Sequence, residues 1–539
     1  MKICGNLVDV LKNEIYPAEI TYSKNITSIK RSDKKYRNWI LPGLIDSHIH
    51  IESTMLTPAG FSKAVLPHGT VATVSDPHEI ANVSGIKGIE YMIKNTPTGI
   101  KIYYTAPSCV PATSFETSGS MIDSKKIENL MKKKKIIALG EVMNYPAVIN
   151  REKGIMDKIK SAKKYKKKID GHAPMVSGNN LKKYVSAGIT TEHESVSYKE
   201  GLEKIKTGVK LMIRNGSSEK NMPELIKLAD KYSDDCFFVS DDRSAEDLIK
   251  GHMDSHLREA VKLGLSPLKA VKCCTINPAK HYGIDTGIIQ TGKRADFVVV
   301  NNLKDFKVIE VYINGKKSAE QGRCLIKTKK EKFPLCIKTN NLSRKDFIIK
   351  SYGEKAKVRL IEVIPNQIIT KESFGEVRVK NNEVIADRKN KICFIAVVNR
   401  YKKSKPSLAL VKNFYVNGAV ASSISHDSHN IVAVGNNACD IIKAVKKVMK
   451  NGGLAFAKGK KVFSVPLEIA GLMTNSDIKT LSKKIKQINF LVKKSGCTLS
   501  RPFMQLSFLC LLVIPNLKIS DRGLFDSKNF KFTELFHKL

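Results

Sequence analysis

Between residues 41 and 280 short apolar runs recur, each ending in polar residues and each followed by a stretch with one-sided, helical spacing. A strand buried on both faces reads as a continuous apolar run, and a helix laid against it as an amphipathic one, so the repeat predicts parallel strands joined by crossover helices. The runs fall at 43–46, 70–74, 102–104, 136–140, 169–171, 189–191, 210–213 and 236–239. Eight such strands in about 200 residues are what a closed (β/α)8 barrel of the TIM type requires, and the fold class expected is α/β.

The flanks follow a different rhythm. Short β-like runs at 8–10, 18–20 and 26–29 cannot close a core alone, and a matching set returns at 287–289, 295–300 and 308–314, ending in the turn Asn314-Gly315. The two ends are expected to pair into a small composite β-sandwich made of residues 1–40 and 281–330, around a barrel of residues 41–280. Beyond residue 330 the mixture of β-rich runs such as 358–364 and helical ones such as 441–449 predicts a further α/β or α+β domain over 331–539. The longest apolar run, 506–515, is about half of what a membrane span needs and reads as a buried strand or helix.

Composition adds limits rather than direction. A chain of 539 residues with 42% hydrophobic residues has material for two or three domains. The start Met1-Lys2-Ile3-Cys4-Gly5 lacks the pattern of a secretory signal, and the 11 cysteines are scattered without a C-x-x-C pair, so a cytoplasmic protein with reduced core thiols is expected. Cys273 and Cys274 sit where adjacent helical side chains diverge and receive no chemical role. The net charge of +41 raises the question of nucleic acid or an anionic membrane. Its lysines are spread along the whole chain, with short runs at 132–135 and 166–168, rather than gathered with aromatics into one stripe. Neither partner is expected, and the lysines read as solvated faces.

The strongest local signal is His48-Ile49-His50: residues two apart on a strand face one side, so both imidazoles can grip one metal ion. The pair follows the first predicted strand, at the end where β/α barrels carry their active sites. Glu141, His172, His193 and Asp241 occupy the same position after later strands. Alone, each has an ordinary explanation as a cap or a satisfied core residue. Together, four histidines and two carboxylates on one rim form a nitrogen and oxygen ligand set suited to zinc, iron or manganese.

Several longer segments carry a resemblance. PGLIDSHIHIEST, SDPHEIANV at 75–83, LGEVMNYPAV at 139–148, DGHAP at 170–174, AGITTEHES at 187–195 and SDDR at 240–243 resemble the adenine deaminase family of the amidohydrolase superfamily. GHMDSHLREAV, TINPAKHYG and GKRADFVVV are similar to its closing barrel and β domain, and ASSISHDSHNIVAVG and PFMQLSFLCLLVIPNLKISDRGLFD to its C-terminal domain. The resemblance implies two divalent ions, Mn2+ or Fe2+ with Zn2+ as a further option: His48 and His50 on one, His172 and His193 on the other, Glu141 bridging them in place of a carboxylated lysine, and Asp241 completing the set. It implies hydrolytic deamination of adenine to hypoxanthine and ammonia, a reaction of purine salvage, by a homo-oligomer, expected as a dimer. The chain departs from the family pattern at Asn215, where Glu is usual, and at Ser244, where His is usual.

The chemistry fits those residues. Two divalent ions lower the pKa of a shared water, which attacks the ring carbon bearing the amino group, while Asp241 takes its proton and passes it to departing ammonia. The aromatic ring resists addition, so a group must protonate the neighbouring ring nitrogen, and His78 and Glu79 at the second strand end are the candidates, with support of the metal ligands as their alternative role. Arg214 and Asp242 are expected to bind substrate, Arg214 having the alternative of pairing with a carboxylate. The cluster His426-Asp427-Ser428-His429-Asn430 is assigned to closing the barrel mouth or packing between domains, not to a catalytic triad. Rival readings are another amidohydrolase acting on a cyclic amide, an inactive paralogue, and a basic nucleic-acid-binding protein.

Overall fold

In the computed structural model, which describes every residue except 339, 340, 366, 538 and 539, eight parallel strands run in chain order around one sheet. They are β1 (Leu44–Ile49), β2 (Thr70–Ser75), β3 (Lys101–Ala106), β4 (Ile136–Val142), β5 (Lys168–Gly171), β6 (Thr191–Glu192), β7 (Lys210–Arg214) and β8 (Cys236–Val239). Every residue of β1, β2 and β8 is buried, as the continuous apolar runs require. The sheet closes where the Asp241 N–H donates to the His48 carbonyl (2.9 Å) and Ile49 bridges Asp241 in parallel register. Below that seam, Asp46 accepts the Ser240 N–H (3.1 Å), tying the ends of β1 and β8 with one buried carboxylate.

The flanking segments form a single eight-stranded sheet. Trp39–Pro42 pairs antiparallel with Phe297–Val300, so the two chain regions meet edge to edge, as expected. The strand expected at 287–289 is irregular, and the hairpin Val308–Ile313 with Lys316–Glu320 takes its share of the pairing instead, because the Asn314-Gly315 turn reverses the chain there. Tyr22 and Phe297 stand three strands apart in this sheet, about 14 Å if it were flat. Their rings are 5.1 Å apart, so the sheet folds over and its halves face each other across Leu7, Ile20, Ile40 and Val299, the sandwich arrangement.

By contacts the chain divides into two compact units. The first comprises Met1–His78, Glu90–Cys109 and Ile122–Glu331; the second comprises Glu79–Ile89, Val110–Met121 and Lys332–Leu539. The second unit is built on a nine-stranded, largely antiparallel sheet whose middle holds Ile392–Val398, Ile431–Gly435 and Ala419–Ser422. Helix Ala438–Asn451 lies on it, capped by Asn437 and burying Ile441, Ala444, Val445 and Val448, a spacing of three and four. Residues 110–121 are bound into this unit: the Thr117 N–H donates to Asp521 (2.8 Å), and the Phe115 ring packs 4.9 Å from Phe525. The apolar run 506–515 is the end of helix Pro502–Phe508 followed by turns, buried over its first half. Among the described residues no helix is long and apolar enough to cross a membrane.

Candidate metal centre and active site

The ends of β1, β4, β5, β6 and β8 deliver their predicted side chains to one place. Glu141 sits at its middle, 4% exposed, with Oε1 3.2 Å from His50 Nε2 and Oε2 2.7 Å from His172 Nδ1 and 3.3 Å from His193 Nε2. Its backbone N–H donates to Asp76 Oδ2 (3.0 Å), at the register irregularity near the end of β4. Asp241 places Oδ1 3.1 Å from His50 Nε2 and 3.4 Å from His48 Nε2. Its φ of +53° is left-handed, uncommon for a residue other than glycine, and is maintained by the closing bond to His48 described above. His48 and His193 stack at 4.2 Å, so the histidines of β1 and β6 face each other across the rim.

Proton placement at His50 shows which charge this arrangement calls for. Nδ1 lies 3.0 Å from the Asp76 carbonyl oxygen, which can only accept, so Nδ1 carries the hydrogen and the neutral ring turns its Nε2 lone pair toward Glu141 and Asp241. A lone pair facing two carboxylates requires a positive charge between them, either a proton on Nε2 or a metal ion. The electrostatics carry the same demand. Burial alone would lower the pKa of His50, but the carboxylates of Asp241 and Glu141 raise it well above the ordinary value. His193 is likewise disfavoured as a cation by burial and yet pushed up to about 10 by Glu141 and Glu194. Burial would raise Glu141, but His172, His193 and His50 hold it well below the usual carboxylate range.

Divalent ions meet that demand, and the donor atoms are grouped for them. The ligand atoms of His48, His50 and Asp241 lie within 4.8 Å of one another, as do those of His48, Glu141 and His193 and those of His172, His193 and Glu194. Borderline-soft imidazole nitrogens with carboxylate oxygens suit first-row divalent ions. Glu141 belongs to the second of these three sets and lies beside members of the other two, His50, His172 and His193.

Comparison with known proteins decides the family. A model described as the amidohydrolase family matches residues 39–317, and one described as the adenine deaminase C-terminal domain matches 367–531. Proteins named adenine deaminase from Methanosphaera stadtmanae, Methanothermobacter thermautotrophicus and Borreliella burgdorferi are 45%, 43% and 41% identical, each alignment covering 99% of both chains. The chain belongs to the adenine deaminase family. Divalent-metal binding is implied by its amidohydrolase domain, and the donor set above fits it.

Two residues of this cluster were missed in the sequence. Glu194 lies 3.3 Å from His193 Nε2 and 3.5 Å from His172 Nδ1, and holds Arg214 through both oxygens (2.6 and 3.2 Å). Burial would raise its pKa, but Arg214 and His172 keep it well below the ordinary value. Its signal was present in Glu192-His193-Glu194. The strand ends at Glu192, and beyond it the alternation that sends neighbours to opposite sides no longer holds. Asp76 works through its carbonyl and one carboxylate oxygen, on His50 and Glu141, and only SDPHE could have suggested it.

The expected substrate binders both make polar contacts with neighbouring residues. Arg214 Nη1 reaches both Glu194 and Asp241 Oδ2 (3.0 Å), the carboxylate pairing weighed as its alternative. Asp242 accepts from the Ser53 hydroxyl, and its carbonyl takes the Ser217 N–H (2.7 Å). His78 turns Nδ1 to 3.3 Å from Glu141 Oε1, with its ring 4.6 Å from that of His50. Glu79 belongs to the second unit and contacts His426 and His429.

The departures from the family pattern have local explanations. Asn215 donates to Glu259 (3.0 Å) and Ser244 caps the short helix Ala245–Leu248. A further layer supports the rim. Asp46 Oδ2 lies 2.9 Å from His252, and buried Lys204 pairs with Glu192 (2.8 Å), whose Oε1 accepts the N–H groups of Ala173 and Glu194.

Proposed function

We propose that this protein hydrolyses adenine to hypoxanthine and ammonia, and that two divalent ions, Mn2+ or Fe2+, would be held by His48, His50, Glu141, His172, His193 and Asp241. The observation that supports the reading most is the central placement of Glu141 among three of the four predicted histidines, in a chain whose relatives named adenine deaminase align over 99% of its length. Bound divalent ions supply a water of lowered pKa, so that hydroxide is available at neutral pH.

The chain's own residues do the rest. Asp241, kept ionised against burial by His48, His50 and Arg214, accepts the proton of the attacking water and returns it to the departing amino group, which leaves as ammonia. Arg214, fixed by Glu194, orients Asp241 through Oδ2. His78, beside Glu141, is placed to manage the proton at the ring nitrogen next to the reacting carbon. A cytoplasmic location agrees with eleven free cysteines, seven of them buried. The division into residues 1–40 with 281–330, 41–280 and 331–539 is supported by the distinct sheets of the three regions.

The test is ammonia release from adenine by purified protein reconstituted with Mn2+ under reducing conditions, beside Glu141→Gln. Release by the parent and its loss in the variant is the expected result. A parent that binds two ions per chain but releases no ammonia overturns the adenine reading and directs attention to cyclic amides.

A further inference from the structure

At the end of the barrel opposite the rim, where the parallel strands begin, lysines from four separate elements line one cavity of about 540 Å3. Lys168 is the first residue of β5 and Lys210 the first of β7, while Lys272 comes from helix Pro267–Cys273 and Lys280 from helix Ile276–Tyr282. All of them belong to the first compact unit. The volume is that of a small-molecule site, for which roughly 300–1,000 Å3 is usual. None of these residues takes part in the reaction above.

The charge around this cavity is not balanced from within. Lys272 pairs with Asp234 (2.6 Å) and Lys210 with Asp235 (2.5 Å). Among the described residues no carboxylate lies within ion-pair distance of Lys168 or Lys280, so two of the four ammonium groups are left unanswered. Within the Lys272 pair the ammonium side chain is 16% exposed and the carboxylate side chain 75%, so water screens the acid more than the base. His281, also in the lining, adds no charge of its own: burial, and then the charges of Lys168 and Lys210, push its pKa down to about 3. A concavity lined by one sign of charge focuses its field and concentrates the opposite ion.

We infer that this cavity is a binding site for a dianionic phosphate group, free or carried by a small molecule, with Lys168 and Lys280 as its principal partners. Two unanswered ammonium groups match the charge of a phosphate monoester at neutral pH, and lysine meets phosphate as a point charge. A bounded cavity favours a small molecule over a nucleic acid, whose backbone follows an extended basic groove. Val10, Leu11 and Ile276 add apolar surface to the same cavity, which suits a ligand with a ring attached to its phosphate. The site is separate from the rim, and the inference does not depend on adenine being the substrate.

The experiment uses full-length protein loaded with Mn2+ and freed of unbound ion, and measures the binding of inorganic phosphate, adenosine monophosphate and adenosine by titration calorimetry. Lys168→Gln/Lys280→Gln is compared with Lys166→Gln/Lys182→Gln, which removes the same charge from exposed lysines outside the lining. Phosphate-bearing ligands are expected to bind the parent and the control alike and to lose about tenfold or more in affinity for each of Lys168 and Lys280 replaced. Either single variant serves if the double does not fold, as judged by its melting temperature. Adenosine, which lacks the phosphate, is expected to bind the parent and the Lys168→Gln/Lys280→Gln protein equally. Tighter binding of adenosine monophosphate than of inorganic phosphate assigns the site to a phosphate monoester, and equal binding assigns it to the free anion. No binding of either phosphate, or equal losses in the two double variants, overturns the inference and leaves these lysines to face the carbonyl ends of the barrel helices.

Discussion

The barrel rim and the 425–430 turn both set buried imidazoles around a carboxylate, but they place the proton on opposite nitrogens. At the rim, the Asp76 carbonyl takes the Nδ1 hydrogen of His50, leaving a lone pair aimed at Glu141 and Asp241. At the turn, the Ser425 N–H occupies Nδ1 of His429, leaving a hydrogen aimed at Glu79. The first array turns a lone pair toward its carboxylates, and the second turns a hydrogen toward its own. A single backbone group on the far nitrogen thus distinguishes a candidate metal ligand from a hydrogen-bond donor, although both look alike in sequence as histidines near acids.

The sharpest way to break that contrast is Glu141→Gln. It removes the charge around which three histidines are arranged, and kcat for adenine is expected to fall by at least about a thousandfold, with loss of bound metal measured by elemental analysis. Retention of both ions and of activity would show that the rim does not depend on its central carboxylate.

Lys204 offers an internal control, a buried carboxylate that already has its cation. Its ammonium, fully buried, pairs with Glu192 and Glu200 at 2.8 Å each, and Glu192 in turn holds the backbone at Ala173 and Glu194. Lys204→Met leaves Glu192 as exposed to unmet charge as the rim acids are. It is expected to cost about 3–5 kcal/mol in urea denaturation, the usual result of breaking one side of a buried pair. A cost below about 1 kcal/mol would mean that the site tolerates buried carboxylates generally, and the case for a required cation at the rim would weaken.

The rim's demand for positive charge also has a pH signature in metal-stripped protein. His50, His172 and His193 all have folded pKa values above the ordinary 6.5, His193 at about 10. Their stabilisation is therefore whole below pH 6.5 and is lost as pH rises toward 10. The melting temperature of the stripped protein should fall between pH 7 and pH 9.5, measured by circular dichroism. With Mn2+ bound the fall should disappear, because the ions supply charge in place of protons. On the acid side Glu141 and Asp241, held below the carboxylate range, add stability that is present above their unfolded pKa values and lost as pH falls through the folded ones. Equal slopes with and without metal would contradict the proton placement argued for His50.

The barrel and the residues clustered on its rim were legible because each strand announces itself by an apolar run and each candidate ligand by its place at the end of one. His48 and His50 followed from period two, and Glu141, His172, His193 and Asp241 from position alone. Glu194 was hidden because it lies beyond the two-residue strand β6, where alternation no longer sorts neighbours. The strand expected at 287–289 failed because three apolar-flanked residues carry no pairing information, and the Asn314-Gly315 hairpin claimed the partner. Nothing local in DPHE shows that His78 falls in one unit and Glu79 in the other, nor that Glu79 meets histidines 350 positions away, because that pairing is set by tertiary packing.

The smallest effect is expected at Ser244, where the chain departs from its family, and it separates local helix chemistry from the two arrays. The hydroxyl accepts the Asp247 N–H (3.3 Å) at the start of Ala245–Leu248, a four-residue helix with few other means of satisfying its first donors. Ser244→Ala should cost about 0.5–1 kcal/mol in a denaturant melt and leave kcat/KM for adenine within about twofold, since a cap stabilises a helix end without touching the rim. Ser244→His should behave alike if position 244 is only a cap. A change in KM of about tenfold with stability unaltered would place position 244 at the substrate instead, and the imidazole usual in the family would then be a group whose absence this chain's own hydrogen bonds must offset.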